Sequence, residues 1–253
     1  SFLASFNLLV IRLEIVFLGT AASIPTPTRS LPSILVDEEL LVDCGEGATQ
    51  KILSAGFLDT IKRVIITHSH LDHSAGIATL IWTLWLHGKR NPLIVGGPSY
   101  VKDLVFSLLK AFGTPLERLT FSIEYKESFE DVKFASTDHH PETFALKVEK
   151  GNARICYSSD TAPCDSVINL ARGCDVLIHE ATFLNDERHL AHMLKHSTAG
   201  DAGRIAREAQ VKKLVLFHWP WTLEGREHLL VEEAEAFFNG EVILAHDFET
   251  LSL

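Results

Sequence analysis

Residues 64–76, VIITHSHLDHSAG, constrain this chain more than any other stretch. Val-Ile-Ile has the make-up of a strand buried on both faces, and such a strand cannot take ionisable groups into a core unless they are paired or bind a cation. His68, His70, Asp72 and His73 follow it at once, so the strand must end where several polar groups are satisfied together. In extended backbone, residues two apart point the same way. His68 and His70 can therefore face one point, while Asp72 and His73, in the turn that follows, reach a second. One short loop can in this way serve two metal ions.

Single candidates recur after other apolar runs: His139 or His140 after 134–137, Asp160 after 155–159, and His218 after 214–217. With 253 residues, 46% of them hydrophobic, the chain can bury a core that needs no metal to hold it, so a metal site here is expected to be functional. The four cysteines, Cys44, Cys156, Cys164 and Cys174, lack the paired spacing of a zinc ribbon; reduced thiols and a cytoplasmic location are expected. The formal charge of −10 provides no global basic field for nucleic acid, which would need a local patch such as Lys62, Arg63, Lys89 and Arg90. The longest uncharged stretches, 76–88 and 1–11, fall short of the roughly 20 residues of a membrane span, so no membrane association is expected. Residues 1–11 imitate the apolar part of a secretory signal, but no basic segment precedes them and Arg12 and Glu14 follow; secretion is not expected.

Strand-like runs at 12–19, 34–43, 63–67, 93–95, 119–125, 132–137, 143–148, 154–158, 176–179, 214–217 and 242–245 alternate with helical stretches at 47–55, 74–86, 100–112, 165–172, 197–209 and 227–239. The loop 20–32, with three prolines, is expected to be irregular but ordered. No repeat or linker interrupts this order, which predicts a mixed α/β chain forming one domain over 1–253 with two sheets and outer helices. His189 and His192, among polar neighbours, read as solvated. Trp82 and Trp85 read as core, and Trp219 and Trp221 as either packing or a substrate-facing wall.

THSHLDH (67–73), a lone His near 139, SSDT (158–161) and a late His after a buried strand resemble the metallo-β-lactamase superfamily over essentially the whole chain. FLGTAASIPTPTR (17–29), VDCGEGATQ (42–50), HEATF (179–183), HSTAGDA (196–202) and KKLVLFH (212–218) resemble its ribonuclease Z branch, in family order. The resemblance implies a four-layer αβ/βα sandwich with two divalent metal ions, usually zinc, with Mn, Fe or Co also compatible with these ligands. Carried over, it puts one metal on His68, His70 and His139 and the other on Asp72, His73 and His218, with Asp160 bridging. His139 is preferred to His140 because it stands three residues before Glu142, as in the family. A hydroxide shared by the metals would be the nucleophile, oriented by Asp72.

Glu180 and His196 correspond to the family's proton-transfer pair, with His196 as general acid. His196 also precedes Ser197 and Thr198, which look like a helix N-cap where a phosphate could meet backbone donors. Full-length ribonuclease Z carries a tRNA-gripping arm between the third His and the bridging Asp; here only 20 residues lie between His139 and Asp160, so the arm is absent. The implied function is a phosphodiesterase or an endonuclease resembling RNA 3′-processing enzymes, acting on a small diester or an RNA 3′ end. The alternatives are hydrolysis of a sulfate ester, lactone or amide at the same metals, or a non-catalytic RNA-processing subunit. A homodimer is what the family suggests.

Overall fold

The computed structural model describes residues 12–253; the apolar stretch 1–11 lies outside the described residues. In chain order the elements of the first half are β1 (Glu14–Gly19), β2 (Ser33–Val36), β3 (Leu40–Val42), α1 (Ala48–Ala55), β4 (Arg63–Ile65), α2 (Leu71–Ser74), α3 (Ile77–Leu86), β5 (Leu93–Gly96), α4 (Val101–Ala111) and β6 (Ile123–Lys126). The second half continues with β7 (Val132–Ser136), β8 (Phe144–Lys150), β9 (Ala153–Tyr157), α5 (Asp165–Ala171), β10 (Val176–Glu180), α6 (Arg188–Met193), α7 (Ala199–Glu208), β11 (Lys213–Phe217), α8 (His228–Glu235), β12 (Glu241–Leu244) and β13 (Thr250–Ser252).

Two sheets result, ordered β13-β1-β2-β3-β4-β5-β6 and β12-β11-β10-β9-β8-β7. Their facing sides are buried against each other. Ile15, Phe17, Val42 and Ile65 of one sheet share a core with Leu146, Tyr157, Ile178 and Phe217 of the other. Alternate residues of the same strands point outward, Val16 and Leu18 into a core with Ile52, Leu80 and Val105, and Leu177 and Leu216 into a core with Val167, Ile205 and Leu230. Strands covered on both faces read as continuous apolar runs, and the four layers are helices, sheet, sheet, helices, the expected sandwich.

The site is positioned by direction. Strands β3 to β6 run parallel, and so do β9 to β12, so the carboxyl ends in each group open onto one edge. The run 34–43 proves to be two strands: the acidic stretch Asp37, Glu38 and Glu39 turns back, with Asp37 and Glu38 at φ 51° and 60°, and β2 pairs antiparallel with β3. The stretch 74–86 begins earlier, as α2, and breaks before α3 at Gly76, where a Cβ would stand 2.2 Å from the Gly45 carbonyl oxygen. Helix α6 and strand β13 had no clear sequence signal. The 20 residues after His139 fold mainly as the β8–β9 hairpin, turning at Gly151 with φ 59°. All four cysteines are free, and Cys44, Cys156 and Cys174 are buried. The expected basic patch is partly offset, since Lys62 pairs with Glu39 and Arg63 with Asp131.

Candidate active site

Beyond β4 the chain stays extended and buried through His68, then turns into α2, which carries Asp72 and His73. Two groups of possible metal ligands meet at Asp160, and a third, Asp160, His196 and His218, overlaps them. His70 Nδ1 lies 3.0 Å from His68 Nε2 and 3.2 Å from His139 Nε2, and Asp160 Oδ2 stands 3.7 Å and 3.9 Å from the same two Nε2 atoms. These separations approximate the edges, roughly 3.3 Å, of a tetrahedron with ~2.0 Å metal–ligand bonds. In the second set, Asp72 Oδ2 is 3.7 Å from His73 Nε2 and 3.3 Å from His218 Nε2, while Asp160 Oδ1 is 3.4 Å and 3.7 Å from those nitrogens. Asp160 thus turns one oxygen to each set. His140 stays exposed, outside both.

Asp160 follows β9, Glu180 ends β10 and His218 follows β11, so three parallel neighbours deliver three adjacent groups. His139 arrives from the loop after β7. Four of the five imidazoles, those of His68, His73, His139 and His218, are held through their other nitrogen. His73 Nδ1 donates to Asp43 at 2.7 Å, His139 Nδ1 to the Lys195 carbonyl at 2.8 Å, and His68 Nδ1 lies 3.1 Å from Thr67 Oγ1. Thr67 is anchored in turn by Asp43, which accepts its N–H at 2.8 Å and its hydroxyl at 3.0 Å. Such contacts fix the tautomer and aim. Asp43, Thr67, Thr182 and Lys195 were not singled out from sequence; Asp43, at the end of an apolar run in the VDCGEG string, carried the best available signal.

The residues fit divalent cations. His73 Nε2 and Asp160 Oδ1 are buried with no hydrogen-bond partner, an expensive condition for polar atoms unless a cation takes their lone pairs. Burial lowers the pKa of His68, His70 and His139 below the usual imidazole value, keeping them neutral as ligands must be. Burial acts the same way on His73, but Asp160, Asp43 and Asp72 outweigh it and raise its pKa well above the usual value, so this position favours positive charge. Burial alone would raise the Asp72 and Asp160 carboxyls, yet the surrounding histidines hold both below the usual range.

His196 lies beside this cluster, stacked at 12° on His218 and edge-on to His139. Its Nδ1 is 3.0 Å from Glu180 Oε1. Burial lowers its pKa, but the Glu180 carboxylate raises it more, to about 9; Glu180 itself, raised by burial, is brought below its usual value by His196. The expected phosphate site at the start of α7 is not formed. Thr198 and Asp201 make a reciprocal capping box, Ala199 N–H bonds the Phe183 carbonyl, and Ser197 N–H bonds Glu180. Its donors are spent internally. His192, expected to be solvated, instead bonds Asp201 at 2.7 Å, whereas His189 is exposed. Trp82 and Trp85 pack against the core as expected. Trp219 is buried beneath the Arg29 guanidinium, while Trp221 is half exposed.

The family described as beta-lactamase superfamily domain matches residues 38–219. Ribonuclease Z of Bacillus licheniformis is 31% identical over an alignment of 303 residues that covers 93% of this chain and 97% of the relative. That alignment is longer than the 253-residue chain itself, so the relative carries segments missing here. Among solved structures, human tRNase Z, short form, superposes with a TM-score of 0.79 at 26% identity, covering 94% of this chain and 98% of the other. The metallo-beta-lactamase fold protein YhfI of Bacillus subtilis superposes with a TM-score of 0.81 at 24% identity, covering 96% and 100%, and shares the fold.

Proposed function

Because the chain belongs to the beta-lactamase superfamily, with ribonuclease Z among its relatives, we propose that it is a metal-dependent phosphodiesterase, of the kind that frees an RNA 3′ end or opens a small diester. The observation that carries this reading is Asp160, whose two oxygens face different ligand sets. His68, His70 and His139 would hold one cation, Asp72, His73 and His218 the other, with Asp160 shared. Zinc is the metal best suited to the histidine-rich set, and Mn, Fe or Co would serve the same donors. Cations held there supply charge that offsets phosphoryl oxygens and bring a bound water's pKa towards neutrality.

The chain's own residues account for orientation and the leaving-group proton. Asp72, fixed by the Ser23 N–H at 3.2 Å, offers a carboxylate acceptor that aligns an attacking water. His196 gives its Nδ1–H to Glu180, and its Nε2–H remains to protonate the departing oxygen. Against burial, the Glu180 carboxylate raises the His196 pKa above the usual imidazole value, which favours the protonated ring at neutral pH. Besides His196, three donors hold the Glu180 carboxylate: the Thr161 N–H, the Thr182 hydroxyl and the Ser197 N–H.

The absent arm and the −10 charge favour small diesters over precursor tRNA. Two measurements test this reading. Elemental analysis should find two ions per chain, and hydrolysis of bis(p-nitrophenyl) phosphate should stop with chelator and return with metal. One ion at saturation, or hydrolysis indifferent to chelator, sinks the two-metal assignment. Efficient cleavage of a 3′-extended tRNA at physiological salt would overturn the substrate preference. Among the described residues no helix is long and apolar enough to cross a membrane.

A further inference from the structure

We infer that Thr182 is a positioning residue: its single hydroxyl sets both the proton donor, through Glu180, and the second ligand set, through His218. This rests on the assignment of His196 as donor and His218 as ligand. Thr182 stands two residues past the end of β10. Its Oγ1 is 2.6 Å from Glu180 Oε2, 2.9 Å from His218 Nδ1 and 3.2 Å from the His218 carbonyl oxygen.

A hydroxyl has one proton to give and two lone pairs to receive. The shorter distance and the negative charge commit the proton to the Glu180 carboxylate. Only a lone pair then remains for His218 Nδ1, so that nitrogen must carry the ring proton. Nε2, unprotonated, is left facing Asp72 at 3.3 Å and Asp160 at 3.7 Å. Proton counting at Thr182 thus selects the ring form that a metal requires.

The other end of the relay is equally committed. Glu180 Oε1 accepts the Thr161 N–H at 2.7 Å and His196 Nδ1–H at 3.0 Å, and Oε2 accepts the Ser197 N–H at 3.1 Å beside the Thr182 hydroxyl. Glu180 is fully buried, so losing one donor leaves a lone pair that water cannot reach. The carboxylate would re-aim, and His196 with it. Among the described contacts, Thr182 is the side chain that lies within hydrogen-bond distance of both Glu180 and His218.

Thr182→Val removes the hydroxyl and keeps the branched shape; Thr182→Ser keeps the hydroxyl. Zinc retained per chain is measured against graded chelator, and kcat is measured on a p-nitrophenyl diester and on an alkyl diester with a poor leaving group. Thr182→Val should bind the second zinc about 10–100-fold more weakly with the first unchanged. It should lose more activity on the alkyl diester than on the p-nitrophenyl diester, and Thr182→Ser should restore both properties. Should the valine variant not fold, Thr182→Ala replaces it. Unchanged binding of the second zinc in a folded variant, or a serine variant as impaired as valine, overturns the relay. Wild-type protein and His196→Ala run alongside separate the two levels. Two zincs in wild type and selective loss in His196→Ala keep the parent assignment standing while a silent Thr182→Val removes the relay. A single zinc in wild type removes both.

Discussion

The two sides of the site are assembled by opposite means. The first sheet contributes His68, His70, Asp72 and His73 from a single loop beyond β4, whereas the second contributes His139, Asp160, Glu180, His196 and His218 one at a time, from separate loops and strand ends. In the loop, local backbone geometry determines which side chains can meet. In the second sheet, meeting depends on strands β9, β10 and β11 lying side by side, about 4.8 Å apart, with β10 and β11 ending level at Glu180 and Phe217 and β9 ending two residues earlier. A compact loop tolerates shifts of the sheet around it, while a distributed set is only as accurate as the pairing beneath it.

Asp160 is where the two means converge, so Asp160→Ala should have the largest effect. Losing the group shared by both ligand sets removes several kcal/mol of charge stabilisation, about 10³-fold in kcat, and metal content should fall below two per chain. His70→Ala sharpens the contrast, since it should disturb the set of His68, His70 and His139 alone; equal metal loss in both variants would show that the sets are not separable. Next is His196→Ala, which should lower kcat by roughly 10²-fold on diesters with poor leaving groups and much less on p-nitrophenyl esters, with metal content intact. Equal loss on both substrates would make His196 a binding group instead of a proton donor.

Asp43→Asn should have a smaller effect on the loop side. Asp43 orients His73 directly and His68 through Thr67, so both metals should bind about 10–100-fold more weakly, as chelator competition would show. Weakening of one metal only would mean that Thr67 holds His68 without help. The smallest expected effect lies on the distributed side, at the cap that fixes the loop behind His196. Thr198→Ala should cost about 1 kcal/mol, read as a lowered Tm. Its partner Asp201 is raised by burial but lowered more by hydrogen bonds from His192 and Thr198, so its folded-state pKa is depressed. That stabilisation is complete above the ordinary carboxylate value and disappears as pH falls through the folded-state value. Asp201→Asn should flatten the acid limb of stability against pH; an unchanged limb would remove Asp201 from this role.

The same contrast governs what could be read in advance. The 68–73 cluster was legible because every member lies within one turn of chain. Asp160 and His218 were visible because each follows an apolar run, and family order supplied their pairing. Family spacing favoured His139 over His140, and the fold turns the His139 ring inward and leaves His140 exposed. The expected phosphate site failed because N-cap composition was right but could not reveal that Phe183, Glu180 and Asp201 already use the donors. The split of 34–43 into two strands was hidden because Leu, Val and Ile fill both arms, and the turn is made by acidic residues at positive φ instead of glycine.

By itself, the sequence determined the layered α/β architecture, through apolar runs that alternate in length and period, and the chemistry of the donors, through the types of residue following those runs. Tertiary structure alone decided which oxygen of Asp160 faces which set, which nitrogen of each imidazole is free, and that Thr182 stands between Glu180 and His218. Residue type limits what a group can donate or accept, but direction is set by partners brought from distant strands, and those partners meet only when the two sheets close on each other.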